Sequence, residues 1–405
     1  MSRLLLGVAG GIAAYKACSL LRLLTEAGHE VTVVPTASSL NFVGEATWAA
    51  LSGRPVATDV WTNVHEVPHV RLGQNADLVL IAPATADLIA RAAAGRADDL
   101  LTNVLLTARC PVLMAPAMHT EMWLHPATVA NVATLRSRGV IVLNPADGRL
   151  TGADSGPGRL PEPEDIYQVA LSVLAEAQIA TTLQAQDLAG VRVLISAGGT
   201  REHLDPVRYL GNSSSGKMGT ALARAAVQRG ATVTLVAANL QAEIPAGVTV
   251  VTATSTADLA LRMRELAQQA DVIVMAAAPA DYTPSSPSAT KLKKDADHGL
   301  TINLTQTTDV LAGLVHDRIP GQTIVGFAAE TAPTADQLID LGRAKLARKG
   351  CDLLVLNDVS GGRVFGQNTN SIIIIGPDGV LGSVTGDKNV VAHHILNSAI
   401  AGQTS

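Results

Sequence analysis

Two stretches of this 405-residue chain follow one grammar, and that repetition limits the possible folds more than any other feature. Leu4–Val8 is a continuous apolar run that enters a Gly10-Gly11 turn and a helical stretch to Ala27, with Gly28 just past its end. A second apolar run, Val31–Val34, comes next. In the other half Val191–Ser196 enters Gly198-Gly199, then a helix from about Met218 to Arg229, Gly230 and the run Val233–Val236. The echo continues where ADLVLIAPATAD at 76–87 parallels ADVIVMAAAPAD at 270–281. Short continuous apolar strands alternating with helices predict parallel sheets covered on both faces. Each half is therefore expected to be a doubly wound, Rossmann-like α/β domain that takes ligands beyond the carboxyl ends of its strands. The chain is too long for one ordinary core. The boundary is placed between domains 1–187 and 188–405, where the helical period Ile166, Val169, Ala170, Val173, Leu174 gives way to the polar stretch ATTLQAQ.

Composition narrows the function. A net charge of −5 gives no basic footprint for nucleic acid, and 2% aromatic residues leave no stacking platform. Cys18, Cys110 and Cys351 are too scattered for a disulfide framework or a zinc knuckle. No signal-peptide pattern and no apolar run of about 18 residues is present, so no membrane role and a cytoplasmic location are expected.

Leu188 to Gly219 orders a strand, a Gly-Gly-Thr turn, the Asp205-Pro-Val-Arg208 segment and a Ser/Gly loop ending in Lys217. Backbone N–H groups, hydroxyls and two cations in that order suit phosphates and acyl-phosphates. GNSSSGKM nearly spells a P-loop, but Met218 replaces the hydroxyl that would hold magnesium, and no strand is expected directly before it. In the first half, small or hydroxyl residues stand at four strand ends: Gly10-Gly11, Thr36, Pro83-Ala84-Thr85, and Pro116-Ala117-Met118. Together they predict a shallow cofactor crevice. HEVPH, with His65 and His69, is a literal zincin spelling; Pro68 opposes a helix through it, and no third ligand is evident. Neither glycine turn reads G-x-G-x-x-G with an acidic ribose ligand, which counts against a two-domain NAD(P)-linked oxidoreductase.

At these motifs the chain resembles a known family. GVAGGIAAYK, APATADLIARAAAGRADDLLT and PAMHTEMW are similar to the flavin-binding segments of the cysteine decarboxylase flavoproteins. GGTREHLDPVRYLGNSSSGKMG, AAAPADY, KLKK and GFAAET resemble phosphopantothenate–cysteine ligase. In this order they are similar to the bifunctional family of coenzyme A biosynthesis over nearly the whole chain. The resemblance implies a flavodoxin-like first domain that binds FMN through Gly10, Gly11, Thr36, Pro83, Ala84, Thr85, Asp98 and Met118. It implies His69 as the catalytic histidine, with His119 at the position where the family commonly has asparagine. In the second domain it implies Asn212, Arg208 and Lys291 as catalytic residues. Nucleotide binding falls to Gly199, Ala277, Asp281, Lys291, Thr308, Asp309, Val310, Leu311, Phe327, Lys345 and Lys349. The implied substrates are 4′-phosphopantothenate, cysteine and CTP, with Mg²⁺ on the triphosphate and metal ligands left open. The implied assembly is a homo-oligomer with a trimerising first and a dimerising second domain, up to a dodecamer. One departure stands out: the flap LTGADSGPGR lacks the family's cysteine, its nearest polar residues being Thr151, Asp154 and Ser155. The alternatives left open are a ligase with an inactive flavin-binding half and a non-enzymatic regulatory subunit, although the acidic tail of such regulators is missing.

Overall fold

The structure, a computed structural model, describes residues 1–61, 67–150, 155–293, 300–359 and 366–401. His65, Thr151 and Asp154 therefore lie outside the described residues. The chain forms two compact units, Met1–Asp187 and Leu188–Ser405.

The first unit runs β1 (Arg3–Val8), α1 (Ala14–Glu26), β2 (Glu30–Pro35), α2 (Glu45–Ser52), α3 (Pro68–Asn75), β3 (Leu78–Ala84), α4 (Ala86–Ala93), α5 (Leu100–Thr107) and β4 (Val112–Pro116). It continues through α6 (Thr120–Leu124), α7 (Pro126–Ser137), β5 (Ile141–Val142), the hairpin β6 (Ala146–Arg149) and β7 (Ser155–Arg159), α8 (Pro163–Ala175) and α9 (Ala177–Ala185). Its parallel sheet has the order β2-β1-β3-β4-β5, the flavodoxin-like arrangement, whose order reverses between β1 and β3. Successive side chains of a strand point to opposite faces, so both must be apolar here. Leu5, Val79, Ile81 and Met114 accordingly pack with Leu88, Leu101, Val104 and Leu135 in one core. The stretch ATTLQAQ is not a polar linker: most of it lies in α9. Ile179, Ala180, Thr182 and Leu183 give that short helix a buried face, and Gln178, Thr181 and Gln184 lie on the rest.

The second unit runs β8 (Arg192–Gly198), β9 (Glu202–His203), β10 (Tyr209–Leu210), α10 (Lys217–Gln228), β11 (Thr232–Ala238), β12 (Val248–Ala253), α11 (Thr256–Ala267), β13 (Val272–Met275), β14 (Tyr282–Pro284) and β15 (Leu304–Gln306). Next come α12 (Val310–His316), β16 (Thr323–Glu330), α13 (Ala335–Lys349), β17 (Leu353–Asp358), β18 (Thr369–Gly376), β19 (Gly379–Asp387) and α14 (Lys388–Ala401). Its eight-stranded sheet has the order β12-β11-β8-β13-β16-β17-β18-β19. The first six strands follow the Rossmann order, reversing between β8 and β13, and β18 and β19 add an antiparallel edge. Residues of α10 and α14 line the core on one face. Those of α11, α12 and α13 line the other. A strand does precede the near-P-loop: β10 ends one residue before Gly211. It is a two-residue antiparallel partner of β9, not a strand of the parallel sheet, so it does not supply a P-loop framework.

The sequence echo has a structural counterpart. In each unit an aspartate just ahead of the central strand clamps the start of the first strand. Asp77 donates its N–H to Arg3 O and accepts Arg3 N–H on its carboxylate, both at 2.7 Å. Asp271 does the same with Arg192, both at 2.8 Å. The reversal point of each sheet is thereby pinned at its base, leaving the opposite strand ends for ligands.

Candidate functional sites

In the first unit the hydrogen bonds between chain segments gather the strand ends. Thr36 N–H donates to Val8 O (2.9 Å), Ala9 N–H to Pro83 O (3.2 Å) and Ala117 N–H to Ala84 O (3.1 Å). Gly10, Gly11, Thr36, Pro83, Ala84, Thr85 and Met118 thus lie along one rim. The Thr36 and Ser38 hydroxyls are 3.2 Å apart, and Ser38 packs so closely on Gly10 that a Cβ there would overlap its side chain. A Cβ on Gly11 would meet only the Thr85 methyl, at 3.5 Å. Among the described residues, no acceptor takes the N–H of Gly10 or Gly11. Free amides beside hydroxyls and open space fit a phosphate-bearing flat cofactor.

The hairpin β6–β7 crosses this rim. Gly158 O accepts from Met118 N–H at 2.9 Å, and a Cβ on Gly158 would overlap Met118 O, so only glycine lets the flap seat here. Gly156 lies against Thr120, whose Oγ1 is buried without a partner among the described residues. His119, at the start of α6, keeps a partly exposed ring with Nδ1 3.9 Å from Glu121. The flap's last residue, Arg159, and Lys16 of α1 both pair with Glu162, Lys16 at 2.9 Å. Burial opposes ionisation of Glu162, but those two cations hold its pKa down.

Two implied residues sit elsewhere. His69 is the second residue of α3, which Pro68 opens; its carbonyl accepts from Thr107 Oγ1 (2.9 Å), and its buried Nδ1 has no partner among the described residues. That bond ties His69 to α5. Asp98 is engaged by Arg91 (3.0 Å) and Arg96 (2.7 Å), and the Arg91 hydrogen bond pulls its pKa down. Burial raises the pKa of all three cysteines, Cys351 to about 11, so each is held as the thiol.

In the second unit a cavity of about 790 Å³ opens at the reversal between β8 and β13. Asn212, Ala277, Asp281, Thr308, Asp309, Val310, Leu311, Phe327, Lys345 and Lys349 all line it. Its floor is laced to β8: Ser196 Oγ accepts from Ala277 N–H (3.1 Å), Gly198 O from Ala278 N–H (2.8 Å) and Thr200 Oγ1 from Ala280 N–H (2.8 Å). Asn212 Nδ2 donates to Pro279 O at 2.8 Å. Gly199 does not line the cavity; a Cβ there would sit 2.8 Å from Asn212 O, so its part is to let the Asn212 backbone pass. Lys345 pairs with Glu330 (2.7 Å) and Lys349 with Asp309. Burial opposes ionisation of Asp309, and the Lys349 bond leads the causes that lower its pKa.

Arg208 and Lys291 do not line this cavity, but Arg208 is bonded to the segment that carries Lys291. Arg208 donates to the buried carboxylate of Asp205 at 2.9 Å and to Leu292 O, beside Lys291. Asp205 also accepts from Val207 N–H (2.8 Å), Arg208 N–H (2.8 Å) and Leu292 N–H (3.1 Å). Burial opposes ionisation, yet those backbone donors and the Arg208 charge bring Asp205 down to about 2. Asp205 therefore fixes the exposed Lys291 segment. The Asp-Pro-Val-Arg spelling was its only sequence signal, because the third backbone donor comes from 87 residues away. Among the described residues no group of three or more metal-ligating side chains is present. Nor is any described helix long and apolar enough to cross a membrane.

Comparison with known proteins bears on both units. A family model described as "Flavoprotein" matches residues 1–175, and one described as "DNA/pantothenate metabolism flavoprotein C-terminal domain" matches 188–402. The "Coenzyme A biosynthesis bifunctional protein CoaBC" of Mycolicibacterium smegmatis is 57% identical over 98% of this chain and 97% of its own. Its namesake in Bacillus subtilis is 41% identical over 93% of this chain and 90% of its own. A crystal structure titled as the C-terminal domain of such a protein is 32% identical, covering 54% of this chain and 100% of that one at a TM-score of 0.45.

Proposed function

The chain belongs to the bifunctional family of coenzyme A biosynthesis, an enzyme that joins a flavoprotein decarboxylase to a ligase, and from that premise we propose how residues 1–187 and 188–405 divide the chemistry. The ligase unit activates the carboxylate of 4′-phosphopantothenate with CTP. A carboxylate oxygen attacks the α-phosphorus, the bond to the β-phosphate breaks, and pyrophosphate leaves. Cysteine's amine then attacks the acyl carbon, loses a proton and expels CMP. The observation that carries this reading is the cavity at the β8/β13 reversal, which collects ten of the implied residues, Asn212 among them. In this reading Asn212, whose Nδ2 bonds Pro279 O, stabilises the acyl-nucleotide, and Arg208 and Lys291, which stand outside the cavity lining, supply positive charge to the transferring phosphorus once the nucleotide is bound. Mg²⁺ in this reading arrives with the triphosphate.

The decarboxylase unit takes phosphopantothenoylcysteine and releases CO₂. Gly10, Gly11, Thr36, Thr85 and Met118 would hold FMN, whose redox chemistry would supply the transient oxidation that gives the departing electrons a sink. His69 handles the proton. His119 binds the substrate carboxylate beneath the flap, in place of the family's asparagine. A homo-oligomer, trimeric through the first unit and dimeric through the second, is part of the same proposal. Exposed Ile12, Tyr15 and Trp61 on the first unit support it.

The test is direct: incubate the full chain with phosphopantothenate, cysteine, Mg²⁺ and CTP or ATP, and identify products by mass. Phosphopantetheine with CMP and CO₂ is expected. Phosphopantothenoylcysteine as the sole end product would leave only the ligase active, and no product with CTP would overturn the nucleotide assignment.

A further inference from the structure

The ligase cavity has a second cationic corner, built by residues outside the nucleotide set. Lys388 opens α14 and is only 7% exposed, yet it lines the cavity. Its Nζ donates to Gln367 O, and its backbone N–H donates to Asn368 O at 2.9 Å. Lys217, the first residue of α10, lines the same cavity and donates from Nζ to Gly366 O and Asn368 Oδ1, each at 2.8 Å. Both ammonium groups thus converge on Gly366–Asn368, and they come from helices that pack against one another. Burial and then the Lys217 charge push the Lys388 ammonium below the ordinary lysine value, with Asp387 opposing. Two like charges drawn together in a partly dry pocket favour an anion between them.

The rest of the cavity sharpens the contrast. Lys345 and Lys349 face the carboxylates of Glu330 and Asp309, with Arg348 lining the cavity beside them. Among the described residues, the partners of Lys217 are uncharged oxygens. Beside it the Ser213–Gly216 loop turns into α10 through Gly216 at φ 78°, with no side-chain cap on the helix.

We propose that Lys388, paired with Lys217, is a phosphate-binding residue of the ligase: the two ammonium groups take the polyphosphate of the nucleotide and the pyrophosphate that leaves it. The corner where Lys345 and Lys349 are paired with Glu330 and Asp309 then receives the sugar and base. This rests on the nucleotide reading of the cavity.

The experiment uses the full-length protein, as wild type, Lys388→Gln, Lys388→Arg and Lys217→Gln. Calorimetric titration with inorganic pyrophosphate, the KM for CTP and inhibition by CMP are measured on each. Lys388→Gln should weaken pyrophosphate binding and raise the CTP KM by roughly tenfold or more, with CMP inhibition changed less than about twofold. Lys388→Arg should recover most of the loss. Unchanged pyrophosphate binding in Lys388→Gln overturns the proposal. So does an equal weakening of CMP, which marks a lysine that merely supports the cavity wall. If Lys388→Gln lacks a cooperative melt, Lys217→Gln decides by the same pyrophosphate titration. A wild type that makes no product from CTP sinks the nucleotide reading alone, because pyrophosphate calorimetry still judges the lysine pair.

Discussion

Asp205 shows how much one residue can organise without touching substrate. Its carboxylate is acceptor to three backbone N–H groups and to Arg208, so Asp205→Asn leaves a side-chain NH₂ facing donors. The Lys291 segment should loosen, and ligation, followed as initial rate with CTP, should fall about tenfold or more, in line with ~1.5–3 kcal/mol for charge-assisted bonds. Decarboxylation of supplied phosphopantothenoylcysteine should not change. The sign with pH follows from a folded pKa of about 2 lying below the ordinary carboxylate value. The stabilisation is complete above roughly pH 4 and is lost as pH falls towards 2, so Asp205 puts no acid limb on ligase activity near neutrality. Wild-type rates in Asp205→Asn would show that Arg208 and Lys291 do not depend on it.

At the scale of elements, the aspartate clamps explain why the two halves keep similar spelling around 76–87 and 270–281. Asp271 accepts both the backbone and the guanidinium of Arg192, and the guanidinium bond is the main cause of its lowered pKa, burial opposing. Asp271→Asn should cost about 1–2 kcal/mol near pH 7. That deficit should shrink as pH drops below ~3.9, where the wild-type carboxylate begins to protonate in the unfolded chain. Urea unfolding of both proteins between pH 3 and 7 checks it, and a pH-independent gap would mean that shape, not charge, does the clamping. The parallel strands and the strand-end residues were legible because buried strands spell as unbroken apolar runs and their ends as small residues. The hairpin β6–β7, helix α9 and the antiparallel edge β18–β19 were not. Their register is set by partners distant in sequence or by a face whose polar half masks its period. The same reason hid Ser38, Thr120, Asp205 and Lys388. Each acquires its part only through contacts with other segments, as Lys388 does through Asn368 and the neighbouring Lys217.

For the whole molecule, the consequence of two compact units, each with a proposed site at its own sheet reversal, is that the two chemistries should fail separately. Single-site losses in separate domains combine independently when they share no partners. His69→Asn should abolish CO₂ release and leave ligation intact, since the described bonds of His69 run only to α5 of the first unit. Asn212→Asp should do the reverse. A carboxylate there repels the negative charge that develops on the acyl-nucleotide, and losing one preorganised donor typically costs ~3 kcal/mol, about a hundredfold in rate. Mass spectrometry of quenched reactions should show little acyl-cytidylate in Asn212→Asp, while supplied phosphopantothenoylcysteine is still decarboxylated at the wild-type rate. An equimolar mixture of the two variants then gives the strictest reading. Because the ligated product can diffuse from one chain to another, the mixture should make phosphopantetheine from phosphopantothenate, cysteine and CTP, which neither variant makes alone. If the mixture stays silent while each variant keeps its remaining activity on supplied substrate, the intermediate passes within one chain and never reaches solvent.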